Sequence, residues 1–117
     1  MLYQSDALNV FSHPQGIAEI RFDSAGSVNK FDQSTLVAFG QALACLQQLD
    51  SLSGVLISHH KADFMVGADI TEFLPKFALP DAELSAWLVK ANQLFNQLED
   101  LNVPTVTAMR GFALGGG

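Results

Sequence analysis

A sustained apolar stripe between residues 84 and 98 constrains this chain more than any other feature. Leu84, Trp87, Leu88, Ala91, Leu94, Phe95 and Leu98 recur at helical spacing. That is one face of an amphipathic helix, opened by Pro80 and Asp81 and ending near Asp100. A helix with one apolar face must lay it on a second layer. The run from Pro104 to Met109 follows at once and reads as a buried strand with the proline at its edge. The same alternation occurs upstream. Gly54 to Ser58 is a continuous apolar run, as in a buried parallel strand. Leu36, Phe39, Gly40, Leu43, Leu46 and Leu49 mark a helix over residues 33–50, with Asp32 or Ser34 as its N-cap. Strand, helix, strand, helix, strand predicts an α/β fold with a parallel sheet and right-handed crossovers. Ahead of it, Ala7–Ser12 and Ile17–Phe22, joined by the turn residues His13-Pro-Gln-Gly16, predict a β-hairpin. Trp87 and Phe95 are assigned to the core.

Composition supports a packed core and narrows the function classes. The chain has 117 residues, 49% hydrophobic and 15% charged, with nine Phe. That is one modest domain, without repeats, linkers or low-complexity segments. The net charge of −6 comes with no basic run, which argues against neutralising nucleic-acid phosphates. The single Cys45 excludes an internal disulfide, and no Cys/His spacing resembles a zinc site, so no metal is expected. The N-terminus lacks a basic n-region and an apolar h-region. No apolar run approaches the ~18 residues of a membrane span. The expectation is a soluble cytoplasmic α/β domain.

In open α/β sheets, ligands bind beyond the carboxyl ends of the strands. Two loops leave strands there, residues 61–69 and 111–117. Both are rich in small residues: Val66-Gly67-Ala68 in one, Gly111, Ala113 and Gly115-Gly116-Gly117 in the other. Consecutive glycines let a backbone approach a ligand closely. Two such loops can aim two backbone N–H groups at one oxygen, which is the geometry of an oxyanion hole. The competing reading is that the glycines only make tight turns. No Gly-x-Gly-x-x-Gly follows the first strand, and no Walker or Gly-x-Ser-x-Gly motif occurs. His59 and His60 read as solvated loop residues, and Cys45 as packed or partly exposed on its helix. Asp69 reads as an N-cap of a short helix to Phe73, with Glu72 as its capping-box partner. The residues alone supply no acid, base or nucleophile.

At these two loops the sequence resembles the crotonase (enoyl-CoA hydratase/isomerase) family. The motifs are Ala62-Asp-Phe-Met-Val-Gly-Ala-Asp-Ile-Thr-Glu-Phe73 and Pro104-Thr-Val-Thr-Ala-Met-Arg-Gly-Phe-Ala-Leu-Gly-Gly-Gly117. Met1-Leu-Tyr3, Gly26-Ser-Val-Asn-Lys30 and Asn92-Gln-Leu-Phe-Asn-Gln-Leu-Glu-Asp100 extend the likeness to its multifunctional β-oxidation members. In these a hydratase/isomerase domain is followed by an NAD-dependent 3-hydroxyacyl-CoA dehydrogenase region, and the protein pairs with a thiolase subunit. The resemblance implies a crotonase-type ββα-repeat fold, of which residues 1–117 are the incomplete N-terminal portion. It implies hydration of trans-2-enoyl-CoA to 3-hydroxyacyl-CoA, with coenzyme A as part of the substrate and no separate cofactor in this segment.

Residue by residue, the resemblance places the two oxyanion-hole N–H groups at Ala68 and Gly116. It places Val66, Gly67, Ala68, Asp69 and Ile70 along the adenine end of coenzyme A, and Ser27 and Val28 near its phosphates and pantetheine. The basic residue that often precedes this point is replaced by Gly26, with Lys30 close by. The two family glutamates that activate water follow the triple glycine. None of Glu19, Glu72, Glu83 or Glu99 matches them, so the isolated chain is expected to be inactive. A non-catalytic CoA-ester binding fragment is the alternative. The face of residues 81–100 and the strand at 104–109 are expected to lack full cover, leaving the chain prone to aggregate.

Overall fold

The computed structural model describes residues 1–117. Five strands form one mixed sheet in the order β1-β2-β3-β4-β5. They are β1 (Tyr3–Gln4), β2 (Leu8–His13), β3 (Ile17–Phe22), β4 (Gly54–His59) and β5 (Thr105–Thr107). The β1/β2 and β2/β3 pairs are antiparallel, and the β3/β4 and β4/β5 pairs are parallel. The expected hairpin is therefore β2–β3, turned by a 3₁₀ segment at Pro14–Gly16. The two-residue β1, pairing Tyr3 with Val10, was not anticipated.

Three helices complete the chain: α1 (Gln33–Gln47), α2 (Ile70–Phe73) and α3 (Asp81–Glu99), with a 3₁₀ turn at Leu74–Ala78. Asp32 caps α1, its carboxylate accepting the Thr35 N–H at 2.8 Å. Glu72 is not the capping-box partner of Asp69. Its carboxylate reaches back across the fold and accepts the Gln33 N–H at 2.8 Å. Asp69 does cap α2, accepting the Thr71 N–H at 2.9 Å.

The pairing register lines up the core. Val10, Ile20 and Ile57 form one row across β2, β3 and β4, and Leu8, Phe22 and His59 form the next. Ala38, Phe39, Ala42, Leu43 and Leu46 of α1 cover this face and are all buried. Phe22 stacks on Phe39 at 5.9 Å and meets Phe31 and Phe64 edge-on at 6.0 Å.

The opposite face of β3 carries a polar knot. Glu19 is 5% exposed. Its Oε1 lies 2.7 Å from His13 Nε2, and its Oε2 accepts from Arg21 Nε at 3.0 Å and from the Ser58 hydroxyl. Burial pushes this carboxyl up, but the hydrogen bonds from Ser58, Arg21 and His13 outweigh it and leave it below its ordinary value.

Two expectations are corrected here. The stripe of α3 packs on α1 but no residue of it is fully buried, and Leu88 is exposed. Trp87 and Phe95 are half-buried, not core. Trp87 meets Phe73 edge-on at 5.7 Å, and Phe95 bridges Phe31 and Phe39. The strand read as buried over 104–109 spans only Thr105–Thr107, and all three residues are exposed. It lies at the sheet edge with β4 as its single neighbour, and its one apolar residue, Val106, is 61% exposed.

Candidate functional site: two loops that share a glycine contact

The loops expected to act together do meet. A Cβ built on Gly67 would lie 3.3 Å from Leu114 O and 3.7 Å from Gly115 Cα, and Gly67 has φ +99°. A Cβ at 67 would press on the second loop by a few tenths of an ångström, and the positive φ itself favours glycine there. Leu114 N–H donates to Met65 O at 3.0 Å, and the Phe64 and Met65 N–H groups both donate to Phe112 O at 3.1 Å. Met65 and Ala113 form an isolated parallel bridge. This short ladder sets residues 64–68 beside residues 112–116.

Ala68 and Gly116 each follow a glycine of the contact. Both are exposed, and neither of their N–H groups donates to a protein acceptor. Gly116 lies over the aromatic cluster, where a Cβ would come within 3.3 Å of the Phe31 ring. A cavity of about 210 Å³ opens there, lined by Phe31, Phe64, Phe95, Met109 and Gly116 among others.

The second pair of expected segments also converges. Val66 N–H donates to Asn29 O at 3.0 Å, and Phe31 N–H donates to Gly67 O at 2.9 Å. Phe31 and Ala68 form a parallel bridge. Residues 66–68 thus run beside residues 29–31, and Ser27 and Val28 lie one step upstream. Ser27 is exposed and Val28 half-buried. Ile70 points outward, 70% exposed. Asp69 holds its carboxyl below the ordinary value, mainly through the Thr71 hydroxyl, and lies 3.7 Å from Lys30 Nζ.

Four side chains of this region were not singled out for it from the sequence. Asn29 is 1% exposed, and its side chain joins the two segments. Its Nδ2 donates to Phe64 O at 3.1 Å, while its Oδ1 accepts from Ser24 N–H and Oγ, each at 3.1 Å. Lys61 tucks its stem under the 23–28 loop, with Nζ 3.3 Å from Asp23 and bonded to Ser24 O. Asp63 accepts the Phe112 N–H at 2.9 Å. His59, expected to be solvated, is 8% exposed. The strand runs one residue further than expected, and the alternation of Val55 and Ile57 then turns His59 to the core face. That alternation was the available signal.

Asp32, Asp69 and Glu72 place carboxylate oxygens within 4.8 Å of one another. Each already accepts a backbone N–H at a helix start, which accounts for the cluster by capping and the helix dipole.

A family model described as enoyl-CoA hydratase/isomerase matches residues 12–117. The chain belongs to the enoyl-CoA hydratase/isomerase family. An enoyl-CoA hydratase from Shewanella pealeana superposes with a TM-score of 0.87 at 22% identity, over 94% of this chain and 41% of its own. An enoyl-CoA hydratase from Bacillus anthracis gives 0.78 at 19% identity, covering 95% and 42%. Pseudomonas aeruginosa DspI gives 0.77 at 23%, covering 98% and 42%. At these identities the structures establish the crotonase fold. The chain spans about two-fifths of the length of those proteins. No helix in it is long and apolar enough to cross a membrane.

Proposed function

We propose that this chain is the opening part of a hydratase/isomerase domain that adds water to trans-2-enoyl-CoA. In this reading the Ala68 and Gly116 N–H groups bind the thioester oxygen as enolate charge develops on it. The observation that carries the reading is the pair of N–H groups without protein acceptors, on two loops packed glycine to glycine. Donors fixed in advance need no reorganisation when charge appears. Val66, Gly67, Ala68, Asp69 and Ile70, with Ser27 and Val28, form the coenzyme A side of the site. Lys30 and Lys61 are the cations nearest in sequence to those segments.

General acid–base work needs a carboxylate within reach of the reacting water. Glu19 is committed to His13, Arg21 and Ser58, and Glu72 to the start of α1. Residues 1–117 alone are therefore expected not to hydrate a CoA thioester, and binding one without turnover is the alternative reading of this segment. The full-length protein is proposed to be the α subunit of a bacterial fatty acid oxidation complex. It carries cis-3-enoyl-CoA isomerase activity and an NAD-dependent 3-hydroxyacyl-CoA dehydrogenase region, and works with a thiolase β subunit in the cytoplasm. This finer reading rests on the sequence resemblance.

Two measurements test the core of it. Titration calorimetry of the chain with a saturated acyl-CoA is expected to give binding, whereas free acyl carboxylate gives none. Loss of the conjugated thioester absorbance is expected with the full-length protein and not with residues 1–117. Turnover by the short chain would overturn the assignment of the acid–base step to other residues, and no turnover by the full-length protein would overturn the hydratase reading.

A further inference from the structure

Most bonds between the two site loops are main-chain ladder bonds, which almost any sequence can make. Three are not. Arg110 Nη2 donates to Lys61 O at 3.3 Å from an exposed side chain. His59 Nε2 accepts the Arg110 N–H at 3.0 Å, and Asp63 Oδ1 accepts the Phe112 N–H at 2.9 Å. The last two bracket Gly111, the one residue between their two donors. Gly111 has φ +68°, and a Cβ there would sit 2.1 Å from Asp63 Oδ1 and 2.7 Å from Ala62 O. The turn that aims the chain toward Gly116 is therefore pressed directly onto the loop that carries Ala68.

The His59 ring is oriented for this contact. It lies edge-on to Phe64 at 5.5 Å. Because Nε2 accepts, the proton of the neutral ring sits on Nδ1, which is buried without a partner. Leaving that N–H unpaired has a cost, which the ring bears while its other nitrogen holds Arg110. Arg110 and Phe112 are exposed, so water can satisfy their N–H groups. The two side-chain bonds thus change where the loop stands more than whether its amides are solvated.

We propose that His59 and Asp63 are positioning residues for the thioester donors: together they fix the turn at Gly111 and hold the Gly116 N–H in register with that of Ala68. This rests on the reading of those two groups as an oxyanion hole. The residues read as the coenzyme A side, 27–28 and 66–70, are held by Asn29 and Phe31 instead. Slack in the brace therefore displaces one donor and leaves the cofactor contacts in place. A displacement of about 1 Å can cost as much as ~10²-fold in rate.

The test uses the full-length protein and a short trans-2-enoyl-CoA. His59→Phe keeps the ring against Phe64 but cannot accept, and Asp63→Ala removes the second acceptor at a half-exposed site. Each is expected to lower kcat by roughly 10–100-fold, with KM little changed. His59→Gln and Asp63→Asn retain an acceptor and are expected to recover most of kcat. Amide hydrogen exchange over residues 110–117 is expected to quicken in His59→Phe and Asp63→Ala only. Unchanged kcat in both, or a rise in KM alone, would overturn the proposal. If the unmodified protein hydrates no enoyl thioester, the oxyanion reading itself fails, and unchanged exchange in the variants would separately remove the brace.

Discussion

At the scale of single residues, the site depends on backbone groups, and the informative substitutions are those that reach the backbone. Ala68→Ser leaves the N–H in place and is expected to change hydration by the full-length protein less than about threefold. Ala68→Pro deletes the donor and is expected to lower kcat by ~10²–10³-fold. Equal effects of the two would show that the side chain, not the N–H, matters. Gly67→Ala combines a positive φ with a contact 3.3 Å from Leu114 O. It should weaken acyl-CoA binding as the loops part, and calorimetry reads this directly. Away from the site, Glu19 makes a pH prediction. Its carboxyl is held below the ordinary value in the folded protein. The stability it contributes is thus present above its unfolded pKa of about 4.5 and is lost as pH falls through the lower folded value. Glu19→Gln should cost roughly 1–3 kcal/mol near neutral pH. The gap in denaturation midpoint between parent and variant should narrow below about pH 4. A gap constant from neutral to acid pH would show that the ionised form of Glu19 is not what the knot stabilises.

At the scale of elements, helix starts do much of the organising. Asp32 and Glu72 both place carboxylates at the N-terminus of α1, so one end of that helix is tied to α2 across the site. Asp32→Ala should cost about 1 kcal/mol, and Asp32→Asn only a few tenths, by denaturant titration with an unchanged slope. A loss as large for Asn as for Ala would mean that charge at the helix dipole outweighs the cap bond. The elements with strong periods were legible in the sequence: the β2–β3 hairpin, α1 with Asp32 as one of two candidate caps, β4 and α3. Their side chains repeat at 2.0 or 3.6 residues, and burial follows the repeat. What mostly failed was the reading of side chains whose hydrogen-bond partners lie far away in sequence. Glu72 looks like a local capping-box residue, yet its acceptor oxygen serves Gln33. Asn29 reads as a loop residue, yet its amide reaches Phe64, 35 positions away. The meeting of the two glycine loops was legible, because each glycine run follows a strand and parallel strands end on the same side. His59 was misplaced by ending β4 one residue early.

At the scale of the whole molecule, the decisive quantity is how much of the sheet and of α3 remains in water. The accessible surface is 7026 Å², against about 6,200 Å² for a monomer of this mass. The radius of gyration is 14.6 Å, against about 13.4 Å for this length. The excess of roughly 800 Å² matches one partner's share of an ordinary protein interface. It has a definite location. Val106, Met109, Phe112 and Leu114 are exposed along β5 and the glycine loop, and Leu88 and Val89 along α3. Ile70, Leu74 and Phe77 add a second patch around α2. Only 22 of 117 residues are buried, so α1 on one sheet face provides most of the core. Exposed apolar area on this scale favours association over a stable monomer. Residues 1–117 alone should bind a hydrophobic dye, elute larger at higher concentration and melt over a broad, concentration-dependent range. Polar substitutions at Val106 and Phe112 should suppress the association without disturbing the α1–sheet core, because both side chains are more than half exposed. A sharp melting transition independent of concentration would show that the uncovered face is tolerated. The excess area would then have to be balanced within the 117 residues themselves.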